Sequence, residues 1–190
     1  EAEVTRFLVS DLLPNVMKHG KQGVLFLDEL PQAAPMVSNG LSQLIYDKRV
    51  GANYLFPEGW IIVAAGNRKQ DGAATNKVGA QIYNRFANYE MVADIGAFAK
   101  YLLAKGGDPR VPNFLRLREE LLHQYHKGDV VFPTPRKWEE ADEIVRTILD
   151  KDLRELLVGG EVGAGPAAEL EGYLEMCTQI VTWKQVTSDP

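Results

Sequence analysis

Apolar positions follow two regimes along the chain: short apolar runs alternate with helical patterns up to about residue 93, and only helical periodicity remains from Ile95 onward. Val4, Phe7, Leu8 and Leu12 recur at helical spacing and predict an amphipathic helix that runs to about Lys18 and stops at Gly20. Val24, Leu25, Phe26 and Leu27 are consecutive, bounded by Gly23 and by Asp28-Glu29. Such a run suits a strand buried on both faces, as parallel sheets require. Val37, Leu41, Leu44 and Ile45 predict a second amphipathic helix. Arg49 to Phe56 alternates weakly and turns at Pro57-Glu58-Gly59, which predicts a hairpin. Trp60 to Ala65 is another apolar run, ending in Gly66-Asn67. A polar, glycine-containing loop over 68–76 leads to a short helix around Gly79 to Asn84, and Tyr89 to Val92 predicts a last short strand.

Beyond that point helices are expected at about 95–105, 113–126, 135–150 and 167–184. Two breaks punctuate them, Gly106-Gly107-Asp108-Pro109 and the glycine-rich stretch from Gly159 to Pro166. The second lacks the Lys-Ser/Thr ending of a phosphate loop and is followed by Pro166, so it reads as a flexible linker. The expected organisation is an α/β part over 1–93, a helical part over 94–158, and a linker with a C-terminal helix over 159–190.

Composition narrows the function classes. The 190 residues allow one large domain, or a domain with an appendage. With 45% hydrophobic and 25% charged residues the chain has the balance of a soluble globular protein. Its formal charge of −5 implies no broad nucleic-acid-binding face, although a local basic pore fits within an acidic average. Cys177 stands alone, which excludes an internal disulfide and fits a reducing compartment. His19, His123 and His126 are too scattered to mark a metal site. No apolar run nears the roughly 20 residues of a membrane span, and no secretory signal pattern is present, so the expected location is cytoplasmic.

The sharpest local signal is the apolar strand that ends in Asp28-Glu29. In an open α/β sheet, ligands bind beyond the carboxyl ends of the strands, where both acids project. Asp28 is placed to hold Mg²⁺, directly or through water, and Glu29 to orient and deprotonate an attacking water. The plainer alternative is that the acids end a strand and open a turn before Pro31. The second apolar run puts Asn67 at the same edge, where its amide can bond a γ-phosphate or the lytic water. An Asn after Gly otherwise serves turns. Arg85, in Asn84-Arg85-Phe86, is by itself an ordinary surface charge. In Pro133-Thr134-Pro135-Arg136-Lys137-Trp138, Thr134 suits an N-cap and Pro135 the first helical position, while Arg136 opposes the helix dipole.

Taken in order and spacing, Gly23 to Glu29, Ala64 to Asn67, Asn84-Arg85-Phe86 and Pro135-Arg136-Lys137-Trp138 resemble the Walker B strand, sensor 1, arginine finger and sensor 2 of the AAA+ ATPases. Within them the chain looks like the MoxR-like group, in which a hairpin comes before the sensor-1 strand, as does Pro57-Glu58-Gly59-Trp60 here. The resemblance covers roughly residues 3 to 150. It implies a partial AAA+ parallel-sheet core followed by an all-helical lid subdomain. It also implies an ATP- and Mg²⁺-dependent remodeller that forms a homo-oligomeric ring, a hexamer in this family, with von Willebrand factor A-domain proteins as partners. Asp28, Glu29 and Asn67 would serve the nucleotide of their own subunit, and Arg85 the γ-phosphate next door. Arg136 would report on the subunit's own nucleotide. The loop Ala73-Ala74-Thr75 and the 49–58 hairpin would face the ring pore or a client.

One family element is missing. No Gly-x-x-x-x-Gly-Lys-Ser/Thr motif occurs, and Gly20-Lys21 is followed by Gln22. That loop cradles phosphates on backbone N–H groups and supplies a Lys and a Mg²⁺-binding hydroxyl. The chain by itself is therefore expected to bind ATP poorly. The strand before the loop would lie at the centre of the family's sheet, and without it apolar faces and ladder groups would be left exposed. The expectation is that Glu1 is not a native start and that the loop lies upstream. The alternative is a non-catalytic scaffold with the same fold. A hydrolase using Asp28 and Glu29 on metal alone lacks the converging carboxylates or histidines it needs.

Overall fold

The computed structural model of the chain describes residues 10–67 and 80–179, which divide into two compact units between Glu90 and Met91. The architecture is mixed α/β, a small parallel sheet followed by an all-helical region.

In the first unit β1 (Gly23–Leu27) and β4 (Trp60–Ala64) pair in parallel, in register from Gly23↔Trp60 to Leu27↔Ala64. Between them run a 3-10 turn (Leu30–Gln32), α2 (Pro35–Asp47), β2 (Arg49–Val50) and β3 (Tyr54–Leu55). Leu44 and Ile45 of α2 are buried and cover one face of the sheet. Leu44 packs with Tyr54, Phe56, Leu25 and Ile62, and Ile45 with Leu30, Ile82 and Leu27. Pro35 suits the helix start, where its missing N–H costs nothing, and Lys48 at φ 54 ends it in the left-handed region.

Both apolar runs form strands, but they are not buried on both faces. Side chains alternate, and Val24, Phe26, Ile61 and Val63 on the other face are 53, 56, 59 and 40% exposed. The described residues supply one covering layer only.

Three other local expectations change. Among the described residues the first helix shrinks to α1 (Val16–His19). Pro14 drives Leu13 away from helical backbone. The Asn15 carboxamide oxygen then accepts from Met17 N and Lys18 N, so helix starts only there. Val4, Phe7 and Leu8 lie outside the described residues. The hairpin turns at 51–53, where Gly51 takes φ 58, because β2 pairs antiparallel with β3. Pro57-Glu58-Gly59 instead leads into β4, with Trp60 N donating to Pro57 O at 3.1 Å. After α3 (Ala80–Tyr83), residues Tyr89 to Val92 form no strand, and Tyr89, Met91 and Val92 are 89, 93 and 75% exposed. A strand needs a ladder partner, and neither sheet includes these residues.

The second unit comprises α4 (Ile95–Ala104), α5 (Arg110–Leu117), a 3-10 turn (Glu119–Leu122), α6 (Pro135–Thr147), α7 (Lys151–Val162) and α8 (Ala164–Gln179). Asp94, Thr134 and Asp150 cap α4, α6 and α7 by accepting backbone N–H bonds. Trp138 is fully buried beside Phe114 and donates its indole N–H to Leu121 O at 2.6 Å. The helix expected over 113–126 starts earlier and breaks at Arg118, which leaves helical backbone at φ −134.

The flexible linker expected between Gly159 and Pro166 is helix instead. Gly159 and Gly160 lie inside α7, and the chain breaks only at Gly163, whose φ of 93 suits glycine. A Cβ on Gly159 would meet Ala164 and Ala167 at ordinary contact distance, so α8 lies directly against this part of α7. Val158, Val162, Ala167, Leu170 and Leu174 join the same core as Trp138, so residues 159–179 are part of the helical unit. Among the described residues no helix is long and apolar enough to cross a membrane.

Candidate functional site

Parallel pairing in register makes β1 and β4 end side by side, and the backbone extends that ladder beyond them. Ala65 N donates to Leu27 O and Leu30 N donates to Ala65 O, both at 3.0 Å. The two strand exits are thereby stitched together, with Asp28-Glu29 on one and Gly66-Asn67 on the other. Gly66 is required at this point. A Cβ there would lie 2.1 Å from Pro31 Cδ, so any larger residue would push the β4 exit off the turn that follows Glu29.

Glu29 adopts φ 53, ψ 32. Left-handed backbone costs a residue with a Cβ on the order of 1 kcal/mol, and such strain gathers at functional positions. Its carboxylate is held from two sides. Asn67 Nδ2 donates to Oε1 at 3.0 Å, and Gln32 Nε2 donates to Oε2 at 2.5 Å. Asp28 Oδ1 accepts from Glu29 N at 3.0 Å, and its second oxygen has no hydrogen bond among the described residues. Asp28, Glu29 and Asn67 are all exposed, so a ligand can reach them.

The structure therefore brings three of the five expected site residues together. Arg85 is hydrogen-bonded to none of them among the described residues; its guanidinium lies over the Tyr46 ring, 4.6 Å from the centroid. Arg136 stands on the helical unit, exposed in the first turn of α6. The loop Ala73-Ala74-Thr75 lies outside the described residues.

Sequence reasoning missed Gln32 and Tyr46. The signal for Gln32 was its place three residues after Glu29, across a turn that Pro31 tightens. Tyr46 had none, because its contact with Arg85 joins segments far apart in sequence.

Asp28 fits Mg²⁺ of the kind bound by one or two carboxylates together with substrate phosphates and water. Among the described residues no group of three or more His, Cys, Asp or Glu side chains is gathered to hold a metal by itself. Chemically, the edge offers a carboxylate for a cation, a second carboxylate for a water proton, and an amide that both donates and accepts. No protein-family model, curated protein or solved structure matches this chain.

Proposed function

We propose that this chain is the hydrolysis part of an AAA+ ATPase of the MoxR-like group, a ring-forming remodeller in the cytoplasm. In this reading the phosphate loop is carried upstream of Glu1, the α/β unit is a partial AAA+ core, and the helical unit is its lid. The observation that carries it is the hydrogen bond from Asn67 to Glu29 across the edge of two neighbouring parallel strands. Strand ends in such sheets are where phosphates and their ions bind.

Each residue then has a task. Mg²⁺ bound with ATP would neutralise charge on the β- and γ-phosphates, and Asp28 would hold it. Glu29 would orient a water and take its proton, a role worth about 10²–10⁴ in rate. Asn67, now donating to Glu29, would turn its amide to the γ-phosphate or the water. Arg85 would reach the phosphate of a neighbouring copy, worth on the order of 10³–10⁵ in rate. Arg136 would contact the nucleotide of its own subunit.

The test is subunit mixing in protein extended to include the phosphate loop. Glu29→Gln and Arg85→Ala rings should each be inactive. Mixing them should restore part of the turnover, since some Arg85→Ala subunits then sit beside a neighbour that supplies Arg85. Failure of the mixture to recover any activity would rule out the trans role.

The alternative reading is a non-catalytic scaffold subunit of the same fold. It predicts assembly with neither ATP turnover nor ATP-induced stabilisation.

A further inference from the structure

Tyr46 sits in the last turn of α2, directly after the buried pair Leu44 and Ile45, which are 1 and 6% exposed. Its ring packs against the cluster of Leu30, Ile45 and Ile82, beside Phe86. Those contacts anchor the ring in this cluster, and its face carries the Arg85 guanidinium at 4.6 Å. The Tyr46 hydroxyl is buried and has no hydrogen-bond partner among the described residues. The contact with Arg85 therefore uses the ring and not the hydroxyl.

The way Arg85 is held matters for what it can still bind. Tyr46, Asp47, Asn84 and Arg85 line one open cleft of about 540 Å³. Asp47, the carboxylate in that cleft, is approached by Arg49 Nε at 3.9 Å, and no ion pair joins it to Arg85 among the described residues. A carboxylate would occupy the N–H edges of the guanidinium in a bidentate pair. An aromatic face holds the flat side of the group instead and leaves its five N–H donors for another acceptor.

We propose that Tyr46 is the positioning residue for Arg85, stacking under its guanidinium so that the donor edges, unpaired among the described residues, are presented to a phosphate carried by a second copy of the chain. The proposal rests on the trans role assigned to Arg85 above. A free arginine would sample many rotamers, and the stack removes most of them before the neighbour arrives.

Two measurements test it. In the 190-residue chain, the side-chain NMR resonances of Arg85 should be shifted upfield by the ring in wild type and Tyr46→Phe. They should move to open-chain positions in Tyr46→Leu. Unshifted resonances in wild type would overturn the proposal even if Tyr46→Leu failed to fold. In protein extended to include the phosphate loop, Tyr46→Leu should lower kcat about two- to fivefold, the size of an exposed cation–π contact, with KM for ATP unchanged. Tyr46→Phe should match wild type in both constants. If Tyr46→Leu keeps full kcat while Arg85→Ala loses it, the positioning role is wrong and the finger stands. If Arg85→Ala keeps full kcat, the functional reading fails and the positioning role with it.

Discussion

The two units of this chain bury their apolar residues in different ways. In the helical unit one continuous cluster runs from Phe98 on α4 to Leu174 on α8, with Trp138 at its centre and fully buried. Its buried polar groups are partnered: Glu171 bonds Arg154, and Asp142 accepts from Asp108 N at 2.8 Å and Arg146 Nε at 2.8 Å. In the α/β unit two small clusters lie on one face of the sheet, and the other face shows Val24, Phe26, Ile61 and Val63. Asp28, Glu29 and Asn67 belong to this less enclosed unit. The lesson is that the site is built by backbone register and close approach at a strand edge, without the support of a deep core. Four substitutions test that contrast.

The largest effect should come from Trp138→Ala. Removing a fully buried indole costs about 3–5 kcal/mol, so amide exchange in α5 to α8 should lose most of its protection. Protection left intact would mean that Trp138 is not the centre of that core. Glu171→Ala comes next. Arg154 and Glu171 keep side-chain exposures of only 15 and 5%, and stranding one charge of a buried pair costs about 3 kcal/mol or more. Replacing both by apolar residues of similar volume should recover much of that loss in a thermal melt.

Gly66→Ala tests the other unit. The new Cβ would overlap Pro31, and overpacking of this kind costs about 1–3 kcal/mol. The effect should stay within the α/β unit, and the Asn67 side-chain amide should lose the NMR signature of its bond to Glu29. A smaller and pH-dependent effect belongs to Asp108. The Arg110 guanidinium bonded to it holds its carboxyl below the usual carboxylate range. A lowered folded pKa gives stability that is present above the unfolded value, near pH 4, and is lost as pH falls through the folded one. Asp108→Asn should therefore flatten the acid side of the helical unit's stability profile, leaving its shape above about pH 5 unchanged.

What the sequence made legible, and what it hid, follows the same division. The strands Gly23–Leu27 and Trp60–Ala64 were readable because an apolar run with a glycine at one end and polar residues at the other leaves few options. Their polar ends then placed Asp28 and Asn67 at one edge, as parallel pairing requires. Thr134-Pro135 announced the start of α6 for the same local reason. How many layers cover a strand is not local, so Val24 and Phe26 look like core residues until the fold is seen. α7 is hard to read because Gly159-Gly160 weakens its helical signal, whereas Val158 and Val162, which tie it to α8 in the core, show only in the fold. The Tyr46–Arg85 stack was invisible because each partner alone is an ordinary residue on its own segment.

In the proposed function Glu29 acts on water for a phosphate held at the edge it shares with Asn67. Single-turnover hydrolysis of Mg²⁺–ATP, measured in protein that includes the phosphate loop, addresses it most directly. Glu29→Gln should slow the chemical step by about 10²–10⁴ while ATP affinity stays within a few-fold of wild type. An unchanged single-turnover rate in that variant would contradict it.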